Sequence, residues 1–233
     1  EVLCDALDNN CDGTIDEGSD FGPNIWIGPD TLGVFDDSLN WSLGHIPKIC
    51  ENIEIGLEGD TIDLIILGNS SGGTGGNGAG TSFSLQIRDL NIGPNTTLHL
   101  GESFSLSILG NGVIMNDGTF NIEGYINIRD QTDTNNTALL NGGNLNIIGY
   151  GGISINEIGD YAIDNKSTGV IEMSGFSSVD AYNSENAKSA ILNEGIFNII
   201  GNLYIYGPFM EDAVKNSNGG QMEVKNGGLL RIQ

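Results

Sequence analysis

The chain has 233 residues, with 31 acidic against eight basic side chains and a formal net charge of −23. That balance excludes nucleic acid or an anionic membrane surface as the natural partner, since both need a basic face, and it suits a secreted or cation-binding chain. With 36 glycines and 17% charged residues the composition is that of a turn-rich β protein, and no apolar run reaches the roughly 18 residues of a membrane span.

The first residue is Glu1 rather than Met, so the chain reads as a processed or excised piece of something longer. Residues 1–20 are an acidic head. Counted from Asp8, side-chain oxygens fall at loop positions 1, 3, 5 and 9, which are Asp8, Asn10, Asp12 and Asp16. Gly13 takes position 6, where a calcium loop turns sharply, and Thr14 would add its backbone carbonyl. Alternate residues of a tightly curled loop point inward, so four oxygens converge on one hard cation. Position 12 is Ser19 rather than the bidentate Glu of an EF-hand, and Glu17 or Asp20 is left to substitute. No helical pattern flanks the loop on either side.

Three cysteines, Cys4, Cys11 and Cys50, are an odd number. In a secreted protein they give one disulfide and one free thiol, with Cys4–Cys11 the local pairing and Cys50 the alternative partner for either. A zinc site from these cysteines and His45 lacks paired C-x-x-C spacing. The run from Cys4 through Asp5, Asp8, Asn9, Cys11, Asp12, Gly13, Asp16 and Glu17 to Gly18 resembles the metal-binding (MopE-type) motif of many secreted bacterial proteins. Asn10 stands where that motif usually has Asp. The resemblance implies a bound metal and a bacterial extracellular or cell-surface setting, and the spacing of the oxygens makes calcium the expected cofactor.

Residues 21–60 form a cap or linker holding both tryptophans, Trp26 and Trp41, with Phe35 and three of the five prolines. The first coil of a solenoid exposes its core and an unpaired strand edge, and large aromatics would cover both. Stacking of Trp26 or Trp41 on a sugar is the alternative use. The piece Asn40-Trp41-Ser42-Leu43-Gly44-His45-Ile46-Pro47 resembles an element that precedes β-rich stalks in secreted bacterial surface proteins. Ile53-Glu-Ile55 then opens an alternating strand.

Residues 61–233 are expected to form a parallel β-helix, right-handed by analogy with the crossover rule and regular from about residue 112. After a strand at Ile62–Leu67 comes a glycine-rich excursion over 68–80, which has nothing to bury and no following Lys-Ser/Thr to make a phosphate loop. Asn116, Asn141, Asn165, Asn193 and Asn216 then recur at spacings of 25, 24, 28 and 23 residues, each two positions after an aliphatic residue. Side chains alternate across a strand, so these asparagines point inward with Ile114, Leu139, Ile163, Ile191 and Val214. An inward amide must be bonded, and a column of five reads as a structural asparagine ladder like those of β-helical proteins.

A second strand follows each asparagine, with Phe120/Ile122, Leu145/Ile147, Ile171/Met173, Phe197/Ile199 and Met222/Val224 inward. The third strand pairs Ile126/Ile128, Ile153/Ile155, Val179/Ala181, Leu203/Ile205 and Leu230/Ile232. Outward positions include the polar row Asn121, Asn146, Glu172, Asn198 and Glu223, and the tyrosines Tyr182, Tyr204 and Tyr206 as a candidate ligand face. The chain stops mid-strand at Gln233, so the stack is expected to continue or to be capped.

Three functions fit this organisation. The first is a calcium-stabilised stalk or spacer of a large secreted or surface-displayed bacterial protein, whose partners are flanking domains of the same polypeptide. The second is an adhesin module binding glycans or neighbouring surface proteins on its outer face. The third is a polysaccharide lyase or hydrolase, since parallel β-helices include both. The chain is read as a non-enzyme: its carboxylates (Asp180, Glu172, Glu223) alternate with asparagines, its basic residues are scattered, and neither His45 nor His99 has local support for a triad.

Overall fold

Residues with period-two alternation form strands, and short strands with only one apolar face must bury it against other strands. Here they do so by winding. The computed structural model describes residues 22–29, 35, 37–48, 51–57, 61–66, 83–102, 104–108, 112–128, 137–149, 151–156, 160–180, 188–207, 209, 212–225 and 227–232. Among these the fold is all-β, with three parallel sheets and a single short 3-10 turn at Ser38–Asn40. The chain is a β-solenoid.

The first sheet stacks Asn24–Ile25, Asn52–Ile55, Asp89–Ile92, Ile114–Asn116, Thr137–Asn141, Tyr161–Asn165, Ser189–Asn193 and Val214–Asn216. The second stacks Ile62–Ile66, Thr96–Leu100, Thr119–Ile122, Asn144–Ile147, Val170–Met173, Ile196–Ile199 and Gln221–Val224. The third stacks Phe83–Ile87, Phe104–Ile108, Tyr125–Ile128, Gly152–Asn156, Phe176–Asp180, Asn202–Tyr206 and Leu229–Ile232. Each coil thus gives one strand to each sheet, and every strand pairs only with its equivalents above and below.

Register makes equal positions meet. Phe120 lies opposite Leu145, Leu145 opposite Ile171, Ile171 opposite Phe197 and Phe197 opposite Met222. Phe120, Leu145, Ile171 and Phe197 are fully buried, as are Ile126, Ile128, Ile155, Leu203 and Ile205 on the facing sheet. At the third strand of one coil the alternation is displaced. Ser177 and Val179 are the inward pair, opposite Leu203 and Ile205, not Val179 and Ala181. Phe176 faces out in consequence, and the buried Ser177 hydroxyl receives the backbone N–H of Ile153 at 3.3 Å.

Two of the three corners are tight, and glycine sets how tight. At the corner between first and second sheets, a Cβ on Gly143 would stand 2.0 Å from the Gly118 carbonyl oxygen, and one on Gly195 would stand 2.2 Å from that of Gly169. Between second and third sheets, a Cβ on Gly201 would meet the Gly175 oxygen at 2.1 Å. From residue 114 onward these two corners hold two or four residues each, and the third corner is as long or longer, spanning residues 129–136, 157–160, 181–188 and 207–213.

The top of the stack is closed by aromatics. Trp26 and Trp41 are buried and meet edge to face at 5.2 Å, and Phe35 bridges from Trp41 (4.8 Å) to Phe104 of the second coil (6.2 Å). The Trp41 indole N–H donates to the Phe35 carbonyl at 2.9 Å. The fully buried Asn24 ties the cap down: its amide donates to the His45 carbonyl and to Glu51 Oε2, both at 3.1 Å, and its oxygen accepts from Leu43 N. The cap shares its sheet with the coils, because Asn24 and Ile25 pair with Ile53 and Glu54.

Gly201→Ala is expected to destabilise the fold by about 1–3 kcal/mol, because the added methyl must push apart backbone in two coils at once. The midpoint of urea unfolding measures it, and an unchanged midpoint would contradict the close approach.

Candidate functional sites: an inner amide column and an outer aromatic face

An amide placed inside an apolar core must find a partner, and in a parallel stack its nearest polar group is the same amide one coil away. Asn116 Nδ2 donates to Asn141 Oδ1 (2.8 Å), Asn141 Nδ2 to Asn165 Oδ1 (2.8 Å), Asn165 Nδ2 to Asn193 Oδ1 (2.7 Å) and Asn193 Nδ2 to Asn216 Oδ1 (2.8 Å). The first four are buried and Asn216 is exposed.

The second amide hydrogen has a consistent target. Asn116, Asn141, Asn165 and Asn193 also donate to the carbonyls of Asn144, Val170, Ile196 and Gln221, at 3.0, 3.3, 3.1 and 2.9 Å. Those residues open the second-sheet strand of the next coil. Each asparagine therefore bonds its counterpart and fixes the entry of the following strand. All donors point the same way along the stack, so the first acceptor has no rung above it. Asn116 Oδ1 is buried without a protein partner, because its in-register neighbour is Ile92.

A shorter polar chain runs outside the second sheet. Asn146 Nδ2 donates to Asn121 Oδ1 at 2.8 Å, Asn121 Nδ2 lies 3.3 Å from His99 Nδ1, and His99 Nε2 lies 3.2 Å from Asp63 Oδ1. Below it the same row continues as Glu172, Asn198 and Glu223. The two glutamates are exposed and stand on either side of Asn198, and Glu223 pairs with Lys225 at 3.5 Å. They sit on an open sheet face.

The third sheet carries the aromatic group. Tyr204 and Tyr206 alternate outward on one strand with rings nearly parallel, 6.2 Å apart at 9°. Phe176 of the preceding coil, half-exposed, lies 5.2 Å from Tyr204. Sequence reasoning missed Phe176 because it set that strand's inward pair too late. The signal was the glycine before it, since Gly175 aligns with Gly201 and Gly201 immediately precedes the third-sheet strand. Tyr182 lies outside the described residues, as do Cys4, Cys11 and Cys50 and the calcium-loop set Asp8, Asn10, Asp12, Thr14, Asp16 and Glu17. Among the described residues no group of three or more His, Cys, Asp or Glu is placed to hold a metal.

Asn165→Leu is expected to cost about 1–3 kcal/mol, because it orphans Asn193 Oδ1 inside the core while Asn141 keeps its carbonyl partners. Asn216→Leu, at the exposed end, should cost less; equal urea midpoints for the two variants would contradict the ladder. The converse substitution is sharper. Ile92→Asn supplies the missing donor to Asn116 Oδ1, so it should be milder than Ile122→Asn by at least about 2 kcal/mol, although both isoleucines are buried. Equal losses would mean that the column gains nothing from an added rung.

No family model, no curated protein and no solved structure matches this chain, and its function has to follow from its own residues.

Proposed function

We propose that the chain is a structural stalk or spacer segment of a large secreted or cell-surface bacterial protein, stabilised at its acidic end by calcium. The observation that carries this reading is the unbroken stack: three parallel sheets, each in register from coil to coil, with inward polar side chains spent on holding the coils to one another. Such an array transmits load through main-chain hydrogen bonds along its length, and each coil depends only on its neighbours. Flanking domains of the same polypeptide are then its partners.

Calcium enters through the spacing of Asp8, Asn10, Asp12 and Asp16, with the Thr14 carbonyl and Glu17 completing the oxygen set. The ion would offset the mutual repulsion of these carboxylates and order the approach to the aromatic cap. The resemblance of this stretch to a motif of secreted bacterial proteins supports the extracellular setting, where a Cys4–Cys11 bridge is stable.

A strut must be rigid along its whole length. Backbone amides of the sheet strands between Ile53 and Ile205 are expected to exchange as one slow block in hydrogen-exchange mass spectrometry. Coils that open independently, one sheet exchanging far ahead of the others, would overturn the stalk. Chelator should lower the melting temperature of the native chain and leave Asp12→Ala unmoved. A native midpoint indifferent to chelator would remove calcium from the reading and leave the stalk standing.

A further inference from the structure

Beyond a spacer role, we infer that the outer face of the third sheet, around Phe176 and Tyr204, is a binding platform for a neutral polysaccharide. The register lays out the surface. One outward row runs Ser105, Tyr125, Gly152, Phe176, Asn202, and the next runs Ser107, Asn127, Ser154, Ser178, Tyr204. Gly152 stands in the first row between two rings, and the absence of a side chain there has a use. A Cβ on Gly152 would sit 2.2 Å from the Phe176 carbonyl oxygen and 3.2 Å from Tyr125 Cε2, so the glycine lets the next coil's backbone and the tyrosine ring both close in on it. Tyr125 and Phe176, each two-fifths or more exposed, thus stand on either side of the buried Gly152, and Tyr204 and Tyr206 continue the surface into the next coil.

Exposed aromatic groups on one face of a soluble chain mark a contact site, and the surroundings select the ligand. The rings are bordered by amides and hydroxyls, among them Asn127, Ser178 and Asn202. In these two rows the charged position is Arg231, in register with Tyr204, and the next row runs Asn156, Asp180, Tyr206. A nearly neutral patch on a chain of net charge −23 does not recruit a charged partner by attraction. Four rings are also few for a stable protein interface, which takes roughly 800 Å² from each partner. Flat aromatic faces ringed by neutral donors and acceptors fit pyranose rings, whose C–H faces lie on aromatics while their hydroxyls meet amides. The open sheet gives room for an extended chain running from coil to coil.

Calorimetric titration of the intact chain with neutral hexasaccharides of the cello-, xylo-, manno- and β-1,3-gluco- series tests this. At least one should bind, with affinity lowered about tenfold or more in Phe176→Ala and in Tyr204→Ala. Tyr204→Phe, which keeps the ring, and Tyr161→Ala, on the first sheet beneath Lys188, should bind like the native chain. Melting curves check that each variant folds. In the native protein, ring-current shifts of the sugar C–H protons give a readout that needs no variant. Four results would overturn the inference: no saturable heat up to millimolar sugar, binding only of an acidic oligosaccharide such as oligogalacturonate, affinity unchanged in the Phe176→Ala/Tyr204→Ala double variant, or self-association in sedimentation that Phe176→Ala abolishes. The last would make the patch a protein contact.

Discussion

Everything in this molecule follows from one constraint: a strand's main-chain groups are satisfied only by the same strand one coil away. In a parallel stack with in-register pairing, each residue type is pressed against its own counterpart at a spacing of about 4.8 Å. Apolar on apolar is favourable, and Phe120, Leu145, Ile171 and Phe197 form such a column, fully buried. Amide on amide is favourable only because an asparagine carries a donor and an acceptor at opposite corners of one planar group. Carboxylate on carboxylate is not, and in the outer row of the second sheet Asn198 separates Glu172 from Glu223. The repeat records this selection coil by coil.

Burial in such a fold is a property of neighbours more than of residues. Ile205 is fully buried with strands on both sides, whereas Ile232, its equivalent one coil on, has one neighbour and is 52% exposed. At the opposite end Ile53 is buried although it belongs to the first complete coil, because the short strand Asn24–Ile25 and the aromatics Trp26, Phe35 and Trp41 lie over that end. The tryptophans therefore serve the core, and their burial leaves no ring face for a ligand.

Alternation and repeat spacing were enough to read the fold from the chain, because both are consequences of the stacking constraint. The strand pairs around Phe120, Leu145 and Phe197 needed only a period of two. What failed was the local phase at Phe176–Asp180, where inward serine mimics an outward position. Ser177 hydrogen-bonds the neighbouring coil, and nothing in a polar residue's type announces that. That single slip hid Phe176 and with it the aromatic continuity from Tyr125 to Tyr206. Sites built from residues in different coils are legible only once register is known. The acidic head differs, since its residues are consecutive and its chemistry is carried by spacing alone.

The asparagine column also answers a question the apolar columns leave open. Leucine, isoleucine and phenylalanine positions are interchangeable enough that a stack displaced by one whole coil would bury nearly the same surface. The polar column is not indifferent to such a slip. Above Asn116 the same column holds Ile92 and Ile55, so a displacement that sets either of them between two asparagines leaves an amide donor unmatched on one side and an amide oxygen on the other. Each misplaced amide costs roughly 1–3 kcal/mol, while each correct rung gains about 1 kcal/mol. The native stack accepts one orphan, Asn116 Oδ1, at the boundary where the column begins. A displaced stack keeps that orphan and adds others. The column therefore does more than stabilise a coil: its starting point, between Ile92 and Asn116, specifies which coil sits on which.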